Sequence, residues 1–127
     1  MSFNNNEIPA GNNTSPSDQT IALYCRSATK SNYAIDSQKN QLIRFANQNG
    51  YTSLSWYVDV GESGAILYRP AMNRLIEDIK SGEIGIVATV SADCIARGFN
   101  GLAEWVHLLE EYGARCFAAD SRDHELA

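Results

Sequence analysis

The stretch Ile21-Ala22-Leu23-Tyr24-Cys25-Arg26-Ser27-Ala28-Thr29 constrains this chain most. A short apolar run that passes directly into arginine and small residues reads as a buried strand in a parallel sheet. Such a strand delivers its polar end to the carboxyl edge of the sheet, where open α/β sheets bind ligands. Arg26 is poorly suited to plain packing there, because an unpaired buried guanidinium costs several kcal/mol. It either pairs with an acidic neighbour or serves a phosphate or carboxylate, whose geometry its planar fork of donors matches.

From that strand the rest of the chain alternates. Lys30 to Ala34 reads as a polar loop, and Asp36 or Ser37 as the cap of a helix carrying Leu42, Ile43, Phe45 and Ala46, ending after Asn49 at Gly50. Leu54 to Val60 reads as a second strand and runs into a glycine-punctuated loop, Asp59-Val60-Gly61-Glu62-Ser63-Gly64, expected to be mobile. Arg69-Pro70 opens a second helix, with Met72, Leu75, Ile76 and Ile79 on one face. Ile84 to Val90 is a third strand. Leu102, Trp105, Val106 and Leu109 face inward from a third main helix, and Ala114 to Ala119 is a fourth strand. This order predicts an α/β, three-layer domain: a central, mostly parallel four-strand sheet with helices on both faces. The domain is expected over residues 19–120, after a disordered N-terminal arm at 1–18 rich in Asn, Ser and Thr, and before a polar C-terminal tail at 121–127.

The balance of 10 Lys and Arg against 15 Asp and Glu, a net charge of −5, argues against a stand-alone nucleic-acid binder, although a local basic cluster can work inside an acidic protein. Three widely spaced cysteines, Cys25, Cys94 and Cys116, give neither a disulfide framework nor a zinc pattern. Cys25, beside Arg26, is read as a buried structural thiol in preference to a reactive one. No secretory or membrane-spanning run is evident, so a cytoplasmic protein without a membrane partner is expected.

Arg26, Arg69 and Arg97 fall after the first, second and third strands, and right-handed crossovers place all three strand ends on one side of the sheet. Three arginines without a matching set of acids predict an anion site, with Asp93 near enough to orient one of them. The competing reading is three separate surface ion pairs, each worth little.

The motifs Tyr24-Cys25-Arg26-Ser27-Ala28-Thr29, Ile35-Asp36-Ser37-Gln38, Asp59-Val60-Gly61-Glu62-Ser63-Gly64 with Arg69-Pro70, and Asp93-Cys94-Ile95-Ala96-Arg97 together resemble the catalytic domain of the serine recombinases, the resolvase/invertase family. The resemblance runs from about Thr20 to Asp120. It implies attack of a serine hydroxyl on a DNA phosphate, a 5′-phosphoserine link, arginines that hold the phosphate, and no metal or other cofactor. It assigns the site to Arg26, Arg69, Asp93 and Arg97, supported by Tyr24, Gln38 and Ser63.

Two positions depart from the family pattern. Ala28 stands where the resemblance places the nucleophile, and Cys94 where it places an inner arginine; a methyl group cannot attack phosphorus. The expectation is therefore an impaired recombinase-like domain that binds DNA or phosphate weakly, or acts through a partner, as a homodimer or as a heterodimer with a recombinase. The alternatives are an active recombinase using Ser27 as nucleophile, and a small-anion or nucleotide module on a flavodoxin-like sheet. Alternation along the strand turns Ser27 away from Arg26, which weighs against the first alternative.

Overall fold

The structure is a computed structural model that describes residues 18–120 and 125–126. Its elements are β1 (Thr20–Ser27), α1 (Asn32–Gln48), β2 (Ser53–Val60), α2 (Pro70–Lys80), β3 (Ile86–Thr89), α3 (Ala92–Ile95), α4 (Phe99–Tyr112) and β4 (Arg115–Ala118). The strands form one sheet in the order β2-β1-β3-β4, and every pairing is parallel. The α/β architecture read from the sequence is the one observed. The arm anticipated at 1–18 lies outside the described residues except for Asp18.

Strand β1 is central, and its period of two divides the core. Ala22 and Tyr24 point to one face, against Met72, Leu75 and Ile79 of α2 and Trp105 and Leu109 of α4. Ile21, Leu23 and Cys25 point to the other, against Ile35, Leu42 and Phe45 of α1. Truncating a fully buried residue such as Leu75 to alanine costs about 2–5 kcal/mol, so the positions of α2 and α4 on the sheet are strongly specified.

Helix α1 begins earlier than the sequence reading placed it. Ser31 is the cap: its backbone is extended, and its Oγ accepts a hydrogen bond from the Ala34 amide at 3.2 Å. Asp36 and Ser37 instead lie exposed in the first turns of the helix, and Ile43 also faces outward, 37% exposed. The helix carries Gln38 alongside the end of β1. The short α3 was not anticipated as a helix. The tail expected to be polar contributes Leu126, which packs against the α2/α4 side of the core and donates its amide to the Cys116 carbonyl at 2.6 Å. Glu125 pairs with Arg115 at 2.7 Å.

Candidate active site at the carboxyl edge of the sheet

The strand register sets Tyr24 beside Tyr57 and Arg26 beside Asp59. Tyr24, Arg26, Asp59 and Arg69 are all buried. The Tyr24 hydroxyl donates to Asp59 Oδ2 at 2.7 Å and accepts from Arg69 Nη1 at 2.7 Å. Asp59 also accepts the amides of Ala71 (2.8 Å) and Met72 (3.0 Å), the first free N–H groups of α2 after Pro70. The N-cap residue Arg69 makes no side-chain cap bond, so a carboxylate from β2 caps the helix. Burial, and then the hydrogen bond to Asp59, raise the Tyr24 pKa and keep the phenol protonated.

Arg26 is the hub of the second network. Its Nε–H donates to the Cys94 carbonyl (3.1 Å), Nη1 to that of Glu62 (3.0 Å) and Nη2 to that of Asp93 (2.8 Å). Its own main chain is held by Gln38, whose Oε1 accepts from the Arg26 amide (3.1 Å) while Nε2 donates to the Arg26 carbonyl (2.8 Å). Burial lowers the Arg26 pKa, and the charges of Arg69 and Arg97 push it further in the same direction. Arg69 donates Nε–H to the Ser63 carbonyl (3.0 Å), Nη1 to that of Cys94 (3.5 Å) and Nη2 to that of Ile95.

Arg69, which follows the glycine-punctuated loop, is 2% exposed and bonded to that loop. Arg97 approaches through its backbone, its amide donating to the Gly64 carbonyl at 2.9 Å, while the residue remains exposed. Among the described residues, no carboxylate lies within ion-pair distance of Arg26, Arg69 or Arg97.

The other candidates are placed as follows. Asp93 meets Arg26 through its carbonyl, and the residue is exposed. The exposed Ser63 uses Oγ to accept from the Ala65 amide (3.1 Å). Ser27 is buried, its hydroxyl donating to the Thr29 carbonyl, and its own carbonyl receives the amides of Gly61 (2.7 Å) and Glu62 (3.1 Å). Ala28 is exposed just beyond β1. The Cys94 thiol lies 3.7 Å from Gln38 Oε1 and 3.8 Å from Ser91 Oγ. A groove of about 650 Å³ runs along α1 past Tyr33, Asp36, Asn40 and Arg44, and none of the three arginines lines it.

Sequence reasoning missed the roles of Asp59 and Gly64. The available signal for Asp59 was its phase: it shares the buried side of β2 with Tyr57, where an acid needs several donors.

Residues 21–125 match the family model described as resolvase, N terminal domain. The chain belongs to the resolvase family. This resolvase domain superposes on the N-terminal catalytic domain of TP901-1 integrase with a TM-score of 0.72 and 29% identity, covering 80% of this chain and 79% of that one. A resolvase family site-specific recombinase from Streptococcus pneumoniae gives a TM-score of 0.73 and 27% identity, with 85% and 76% covered. A putative DNA recombinase of Bacillus subtilis (strain 168) is 38% identical over 81 residues, 61% of this chain and 16% of that protein. The resolvase domain thus has the serine recombinase fold used in site-specific recombination and spans a small part of that longer relative. No helix among its described residues is long and apolar enough to cross a membrane.

Proposed function

We propose that this resolvase domain engages a DNA phosphodiester at the arginine cluster but does not cut it, and that it contributes to recombination as a binding or pairing partner of an active recombinase, or as a weak DNA-binding homodimer. Arg26, Arg69 and Arg97 supply positive charge for the phosphate, with Asp93 at the rim and Tyr24, Gln38 and Ser63 holding the arginines and the loop. Residues 19–120 are the functional unit in this reading, and its setting is the cytoplasm.

The observation that carries the proposal is at the end of β1. The residue exposed directly after the Arg26 segment is Ala28, while the neighbouring hydroxyl of Ser27 is buried and donates to the Thr29 carbonyl. A nucleophile must stand within reach of both phosphorus and a proton acceptor, and Ser27 is turned to its own backbone. Cys94 adds a thiol beside Gln38 where the family resemblance places a guanidinium.

The test joins residues 1–127 to the dimerisation helix and DNA-binding domain of an active family member and offers suicide DNA. The unmodified chimaera should form no covalent adduct yet should retard the DNA. Ala28→Ser with Cys94→Arg should form more adduct than either single change, because loss of one charge-stabilising donor alone commonly costs about 10²–10³ in rate. If the unmodified chimaera forms an adduct that Ser27→Ala abolishes, Ser27 is the nucleophile and the reading fails.

A further inference from the structure

The arginine cluster is filled by the chain's own carbonyl groups. Glu62 offers its carbonyl to Arg26 Nη1, and Ser63 offers its carbonyl to Arg69 Nε, each at 3.0 Å. Gly64 offers its carbonyl to the Arg97 amide at 2.9 Å. Three successive residues of one loop thus each touch a different arginine. From the opposite side, the carbonyls of Asp93, Cys94 and Ile95 take further guanidinium donors. A guanidinium has five N–H groups, and Arg26 has three of them committed in this way. A carbonyl oxygen carries partial negative charge and, like a phosphate oxygen, accepts guanidinium N–H bonds.

Gly64 permits this arrangement. A Cβ added there would lie 2.9 Å from Arg26 Nη2, 3.1 Å from Arg26 Cζ and 3.0 Å from Arg97 Cγ. Its φ is not in the left-handed region, so the requirement is for space and not for conformation.

We propose that residues 62–64 are an internal competitor for the arginine cluster. Phosphate oxygens and loop carbonyls contend for the same N–H groups, so that binding a phosphodiester and lifting the loop are one coupled step. This inference rests on the anion-binding reading above and adds to it how that site is regulated. The apparent affinity is the affinity of the open site reduced by the fraction of molecules whose loop is raised. An alanine at residue 64 presses on Arg26 without removing any charge. It should raise that fraction and tighten binding.

The experiment titrates inorganic phosphate into the 127-residue chain and into its Gly64→Ala variant, followed by ¹H–¹⁵N NMR of backbone amides and arginine Nε–H groups. In the unmodified chain phosphate should shift the Arg26 and Arg69 Nε–H signals. It should also speed hydrogen exchange at Gly61, Glu62 and Arg97, whose amides bond Ser27 and Gly64 across the loop. Gly64→Ala should bind phosphate at least about fivefold tighter. Equal affinities in the two proteins, or arginine shifts with unaltered exchange in the loop, would overturn the competition while leaving the anion site standing. Absence of phosphate binding in both proteins would overturn the anion site and the competition together. Should Gly64→Ala not fold, the exchange measurement on the unmodified chain decides alone.

Discussion

Asp59→Asn is the substitution that most directly tests how the site is held together. Asp59 is 3% exposed and accepts three hydrogen bonds, from Tyr24, Ala71 and Met72. Asparagine has nearly the same shape but must turn an NH₂ group toward one of the two helix amides. In either orientation a buried backbone N–H of α2 loses its acceptor and meets a donor. Leaving one such group unsatisfied costs about 1–3 kcal/mol. Removing the negative charge from the start of the helix adds about 0.3–1 kcal/mol, more at a buried site. The sum is a loss of about 1.3–4 kcal/mol. With an m-value of ~1.5 kcal/mol/M, the urea midpoint should fall by ~0.9–2.7 M at unchanged slope. Asp93→Asn, at an exposed residue, is the comparison and should stay within about 0.5 kcal/mol of the parent. An Asp59→Asn loss below about 0.5 kcal/mol, or one no larger than that of Asp93→Asn, would refute the cap.

Tyr24→Phe removes the hydroxyl between Asp59 and Arg69 and should cost about 1–3 kcal/mol; combined with Asp59→Asn it should cost less than the sum, a shortfall that a double-mutant cycle in urea reads. Burial pushes the Cys25 and Cys116 thiols from an ordinary value near 9 up to about 12. The folded state therefore holds these protons after the unfolded chain has lost them. Stability should be intact below pH 9 and fall as pH rises through 9–12, with Tyr24 adding to the decline above 10. Urea midpoints that stay level between pH 8 and 11 would contradict this. Cys94→Arg forces a long side chain into a site now packed on Gln38 and should cost about 1–3 kcal/mol, so the Ala28→Ser, Cys94→Arg chimaera should melt below its parent in a thermal scan.

Side-chain patterns made the frame of this molecule legible. An unbroken apolar run marked β1, and Arg69-Pro70 followed by Met72, Leu75, Ile76 and Ile79 marked α2. The start of α1 was harder. Ser31, Asp36 and Ser37 are all good cap residues in composition, and the choice among them is made by the extended backbone at Ser31 and its bond to Ala34. Helix α3, at four residues, is too short to show a period.

The arginines differ in kind from these cases. Their types and strand positions could be read, but their partners could not. A search of the sequence for partners looks for acids, whereas Arg26 found the carbonyls of Glu62, Asp93 and Cys94, and Arg69 those of Ser63, Cys94 and Ile95. Every residue has a carbonyl, so composition carries no trace of which ones converge. That convergence depends on where β2 and β3 end and on how the two following segments turn back over β1. Among the described residues, the single acid drawn into the buried cluster is Asp59, which reaches Arg69 through the Tyr24 hydroxyl. The guanidinium charges are thus surrounded by dipoles instead of carboxylates. A cluster neutralised by carboxylates would repel a phosphate. One solvated by carbonyls keeps its net positive charge, and the phosphate has only to displace the dipoles.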